Sequence, residues 1–138
     1  MGGVIVALLT ALAVAVGWAG DIVFIVSKDS DIEGITLSEL RKIYLREKEF
    51  VGGQYAVPVN LPAGNPIRKV VERKVLRMDR EELELYWNRK YLDGTEPPVV
   101  LSSEKAVKEF VRKVKGAIGY VDEDNLEEDL KVIYRLKR

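Results

Sequence analysis

Between Tyr55 and Leu76 the chain passes from a short apolar run, Ala56-Val57-Pro58-Val59, through Leu61-Pro62-Ala63-Gly64-Asn65 into a basic helix that opens Pro66-Ile67-Arg68-Lys69. A strand that feeds a helix through a glycine turn brings the helix's first unpartnered amides and the positive end of its dipole to one point, and here two cations follow at once. Holding a negative oxygen is the chemistry this spacing serves. The same residues also read as a plain connection, with Asn65 as a helix N-cap, Pro66 as a favoured first helical residue and Arg68 as a solvated charge.

Other chemistries are closed off by composition. With no cysteine and no histidine among 138 residues, thiol nucleophiles, disulfides, Ser-His-Asp catalysis and most zinc sites are excluded. The acidic run 122–129 lacks the glycine and the spacing of a calcium loop, and no carboxylate lies in an apolar run that would raise its pKa. No catalytic residue, metal or cofactor is therefore expected. Lysine plus arginine and aspartate plus glutamate are equal at 22 each, so no overall field favours nucleic acid. One local basic face stands out, with Arg68, Lys69, Arg73, Lys74 and Arg77 expected on the outer surface of the helix and only Glu72 opposing them. No aromatic residue interleaves these charges, which suits a solvated face, or attraction to an acidic protein, an anionic lipid or a cell-envelope polymer, better than nucleic acid.

The elements that must position the turn can be read from periodicity and caps. The run 22–26 is continuously apolar, as in a central strand covered on both faces, which implies helices on each side. Thr36-Leu37-Ser38-Glu39 is a capping box opening a helix that ends near Leu45, and Gly52-Gly53 breaks the chain before the strand at 56–60. The helix from Pro66 should bury Ile67, Val70, Val71 and Val75. A second capping box at Asp79-Arg80-Glu81-Glu82 starts a helix whose buried stripe is expected to be Leu83, Tyr86, Trp87 and Tyr91. Residues 99–101 read as a short strand, Ser102 or Ser103 caps a further helix, and Gly116 stands where a left-handed residue would end it. A strand at 117–121, with Gly119 where a helix packs close, and an alternating edge strand at 130–136 complete the chain. Alternating strands and helices with short links imply one α/β domain, residues 20–138, built as a three-layer sandwich around a mostly parallel or mixed sheet. Ligands in such sheets bind at the carboxyl ends of strands.

All charged residues lie after Gly20, and their density there resembles that of thermophile proteins. The uncharged residues 1–19 read as a signal peptide cut after Ala19, or as an N-terminal membrane anchor because no cation precedes the apolar core. Either way the folded part is expected outside the cytoplasm.

The helix Leu-Ser-Glu-Leu-Arg-Lys-Ile-Tyr (37–44), the Gly-containing turn into a helix, the Tyr86-Trp87 helix and Gly116-Ala117-Ile118-Gly119-Tyr120-Val121 resemble one lobe of the periplasmic phosphate-binding proteins that serve ABC transporters. These are type II periplasmic binding proteins, and the likeness is nearer to their short, one-lobe relatives. The resemblance implies a solute-binding-like domain whose ligand is phosphate or a similar oxyanion. Where the family carries Ser-Gly-Thr, this chain reads Ala63-Gly64-Asn65, so both hydroxyls are missing and Pro66 removes an amide. The anion-binding residues are then Gly64, Asn65, Ile67 and Arg68, through the Asn65 carboxamide, the N–H groups of Ile67 and Arg68, and the Arg68 guanidinium. One lobe supplies one wall of a cleft, so binding should be weak unless a homodimer or a membrane or transport partner completes it. The alternative is a structural or interaction module of the cell envelope that keeps the fold without the ligand.

Overall fold

The computed structural model describes residues 20–138, so the expectations for the leader, its cleavage after Ala19 and its role as an anchor lie outside the described residues. The apolar run forms β1, Ile22–Ser27, in which every residue is buried. It lies between β6, Ala117–Asp122, and β7, Leu130–Leu136, antiparallel to both. Beyond β6 come β4, Val57–Asn60, and then β5, Val99–Val100, each joined in parallel. Four of the five strands therefore run one way and β1 alone runs against them, giving the order β5-β4-β6-β1-β7. One edge of the sheet gathers the carboxyl ends of β4, β5, β6 and β7.

Helices cover both faces, as the doubly buried β1 requires. On one face lies α1, Leu37–Tyr44, whose capping box forms as expected, with Thr36 Oγ1 accepting from the Glu39 amide at 3.1 Å. Its last residue, Tyr44, is fully buried beside Phe24 and Tyr120, with ring centroids 5.8 and 6.1 Å away. The Tyr44 hydroxyl lies 2.9 Å from the Val59 carbonyl and 3.1 Å from that of Ile118, and shares its proton between neighbouring strands. On the other face α4, Glu104–Lys113, lays Val107 and Val111 over Gly119, where a Cβ would stand 2.4 Å from Val107 Cγ1. The close approach read from Gly119 is present.

Gly116 differs from expectation. α4 stops at Lys113 with Val114 extended, and Gly116 is not among the left-handed residues. Its glycine is required instead because a Cβ would stand 2.1 Å from the Tyr55 carbonyl oxygen. That carbonyl belongs to a hairpin, β2 Phe50–Val51 and β3 Gln54–Tyr55, which the sequence showed only as a break at Gly52-Gly53.

The helix from Pro66 is α2, Pro66–Val71, and it widens into a π-helical turn, Glu72–Leu76, closed by Arg77 at φ 56°. α3, Arg80–Leu92, follows from the Asp79 capping box. Of its expected stripe only Leu83 is buried; Tyr86 and Trp87 are half-buried and Tyr91 is 72% exposed, so this helix rests on the domain by a narrow line. No described helix is long and apolar enough to cross a membrane.

The acidic run 122–129 is matched by the chain's own cations. Arg112 holds Asp129 at 2.6 Å and also Glu127, Lys108 holds Glu127 at 2.6 Å, Arg135 holds Glu123, and Arg138 holds Asp122. Glu123 is kept below the usual carboxylate range first by the Asp21 amide and then by Arg135, Glu127 by Lys108, and Asp129 by Arg112. These depressed values mean that the unfolded chain takes up more protons on acidification. The stabilisation is complete above the ordinary carboxylate range and is lost as pH falls through the folded values. The melting temperature should therefore drop between about pH 6 and about pH 3, and drop less in roughly 1 M salt, because these pairs are open to solvent. Gly119→Ala should lower stability by about 1–3 kcal/mol in urea titrations, and Gly116→Ala by more, because a backbone carbonyl cannot step aside as a side chain can.

Candidate functional site

β4 delivers the chain to the carboxyl edge of the sheet at Asn60. Leu61 is fully buried, Gly64 turns the backbone at φ 91° with open space around it, and Asn65 then caps α2 with Pro66 as its first residue. The Asn65 Oδ1 accepts from the Ile67 amide at 2.8 Å and from the Arg68 amide at 3.3 Å. Gly64, Asn65, Ile67 and Arg68 are thus brought together, but the two amides expected to be free hold the oxygen of their own cap. Its carbonyl end, not its amide end, faces the helix.

Arg68 also differs from expectation. It is not on the outer face of α2: its side chain is 13% exposed, its Nε donates to Glu72 Oε2 at 2.9 Å, and its Nη1 donates to the Leu61 carbonyl at 2.8 Å. Glu72 is correspondingly not a surface counter-charge but is buried at 5% exposure, and it also receives Arg80 Nη1 at 2.5 Å. The sequence carried a signal for this arrangement, since Arg68 and Glu72 stand four apart on one flank of the apolar stripe. Lys69, Arg73 and Arg77 do lie together, with Arg80, along an open groove of 510 Å³ that Met78 also lines.

Behind the turn lies a second polar cluster that the sequence did not single out. The Tyr120 hydroxyl accepts from the Leu61 amide at 3.3 Å and lies 2.5 Å from Asn60 Oδ1, to which it donates. Burial pushes the Tyr120 phenol well above its ordinary range, so it stays protonated. Asn60 and Arg68, with Arg80, Trp87 and Asn88 from α3, line a groove of 380 Å³ at the ends of β4 and β5. Among the described residues no group of three or more acidic side chains could hold a metal ion.

No protein-family model and no curated protein matches the chain. Solved structures do. A phosphate ABC transporter substrate-binding protein from Clostridium perfringens, solved with bound phosphate, aligns with a TM-score of 0.67 at 21% identity, over 83% of this chain and 45% of its own. The chain has a phosphate-binding-protein-like fold. An ABC-type phosphate transport receptor from Vibrio cholerae aligns at 0.66 and 18% identity, and PstS from Borrelia burgdorferi at 0.62 and 21%, covering 83% of this chain in each case. Of those two structures the alignments cover 46% and 47%, so this chain spans just under half the length of the phosphate-binding proteins it matches. At such identities the fold is what is shared, and these structural neighbours are binding proteins rather than enzymes.

Within this phosphate-binding-protein-like fold, Glu72 ties α2 to the start of α3. Glu72→Gln keeps the shape but leaves the nearly buried Arg68 guanidinium without its counter-charge. We expect a loss of about 2–4 kcal/mol in urea-unfolding stability with an unchanged slope.

Proposed function

We propose that the chain is a non-catalytic, extracytoplasmic solute-binding-like domain that takes phosphate or a similar oxyanion at Gly64, Asn65, Ile67 and Arg68, weakly alone or with a homodimeric or transport partner completing the site. One observation carries this reading: two main-chain N–H groups at the start of α2 already hold an acceptor oxygen, at 2.8 and 3.3 Å, and that oxygen belongs to a neutral carboxamide. An anionic oxygen is the stronger acceptor for the same donors, while displacing the Asn65 cap costs about 1 kcal/mol. Weak binding by the isolated domain follows. The phosphate bound by the Clostridium perfringens neighbour supports the choice of ligand, and the uncharged apolar sequence of residues 1–19, read as a leader, supports the compartment.

A cell-envelope interaction module is the second reading. It is favoured by the Arg68 guanidinium, which is committed to the Leu61 carbonyl and to Glu72 instead of facing solvent.

Calorimetry with phosphate and sulfate separates the two. Asn65→Gly frees both amides at a cost of only a few tenths of a kcal/mol, because glycine is itself tolerated as an N-cap. The oxyanion reading predicts that this variant binds phosphate about tenfold more tightly than the parent chain, and that Arg68→Ala, which removes the nearby positive charge, weakens the binding. Absence of heat from both parent and Asn65→Gly at roughly millimolar phosphate leaves the interaction module as the reading that stands.

A further inference from the structure

We propose that the groove where β4 and β5 end is a ligand site in its own right, beside the start of α2 with Arg68, committed to Glu72 and to the Leu61 carbonyl, standing between the two, and that it takes a small organic carboxylate with a flat apolar body. Asn60 is the last residue of β4 and Val100 the last of β5, and the crevice beyond the ends of parallel neighbours is where α/β sheets receive ligands. Its volume of 380 Å³ lies within the range of small-molecule sites.

Asn60, a nearly buried residue, offers the groove a donor that reaches solvent through it. Because the Tyr120 hydroxyl accepts from the Leu61 amide, its own proton goes to Asn60 Oδ1, which fixes the carboxamide with its nitrogen turned away from the tyrosine. Asn60 is 8% exposed and lines the groove, and among the described residues no protein group accepts from its Nδ2. Arg80 adds a fork. Its Nη1 is fixed on Glu72, so the Nε–Nη2 edge, which has no partner among the described residues, is held ready for two parallel hydrogen bonds to a carboxylate.

The walls choose the rest of the ligand. Trp87, Pro97 and Pro98 present flat apolar faces that an inorganic anion cannot use. Charge points the same way: Arg68 and Arg80 face a single carboxylate, Glu84, across the lining, and Glu72 behind them pairs with both, so the small positive excess suits a singly charged anion better than a multiply charged one. A single carboxylate on the fork, with an apolar body against the indole, satisfies each of these groups.

The chain has two tryptophans, Trp18 and Trp87, so Trp18→Phe in the full chain leaves Trp87 as the only indole reporter. Titration with 3-phenylpropionate should give a saturable fluorescence change. Arg80→Lys, which keeps the charge and loses the fork, should weaken it about tenfold, and Asn60→Asp, which exchanges the donor for an acceptor, by at least as much. Circular dichroism checks that each variant is folded; should Asn60→Asp unfold, the half-exposed Arg80 still decides the matter. Asn65→Gly, which alters phosphate binding at α2, should leave the phenylpropionate titration unchanged. The proposal is overturned by a flat titration, by binding indifferent to Arg80→Lys, by inorganic phosphate that displaces phenylpropionate, or by a parallel change of both ligands in Asn65→Gly.

Discussion

Glu72 accepts from Arg68 at 2.9 Å and from Arg80 at 2.5 Å, so two helices and two guanidiniums are tied through one buried carboxylate. A carboxylate at 5% exposure is tolerable only because both cations reach it, and each cation is oriented by it in turn. The π-helical turn that begins at Glu72 belongs to the same arrangement, since the wider turn and the left-handed Arg77 redirect the chain into Asp79, the cap of α3. Without that carboxylate, Arg68 keeps only the Leu61 carbonyl as a partner, and Arg80 loses its partner among the described residues.

This constraint separates two kinds of donor at the sheet's carboxyl edge. The amides of Ile67 and Arg68 are held by an acceptor that can leave, the Asn65 carboxamide, whereas the Arg68 guanidinium is held by one that cannot leave without exposing a buried charge. Any ligand at the start of α2 therefore meets replaceable main-chain contacts before it meets a free cation. The Arg80 Nε–Nη2 edge has no partner among the described residues, and Arg80 borders the groove where β4 and β5 end. Geometry at this edge thus favours ligands that carry their own apolar surface, or a partner that supplies a second wall.

Much of the scaffold was legible because it rests on local chemistry. The capping boxes at Thr36 and Asp79 and the Asn65-Pro66 and Ser103 caps satisfy amides within three residues of themselves, and they open helices where expected. The run 22–26 is apolar without alternation and proved to be covered on both faces. Long-range facts were not legible. The reversal of β1 depends on which neighbours it pairs with, and the need for glycine at position 116 depends on a carbonyl some sixty residues away in the chain. At the site, Asn65 was read from both of its possible ends, as cap and as ligand donor. Which end faces the helix is a matter of rotamer, not of spacing. Tyr91 carries a helix-period position yet is exposed to solvent, because α3 meets the domain along a narrow line of Leu83, Tyr86 and Trp87 that ends before it.

The central claim is that the start of α2 is a cradle for an acceptor oxygen, filled by Asn65 until an oxyanion replaces it. Amide resonances of Ile67 and Arg68, followed by heteronuclear NMR during a phosphate titration, address it directly. The account predicts saturable downfield proton shifts at these two amides, larger than those of any surface amide, together with a change in the Asn65 side-chain resonances. Amides of Ile67 and Arg68 that stay fixed while phosphate moves resonances elsewhere, or moves none, would contradict it.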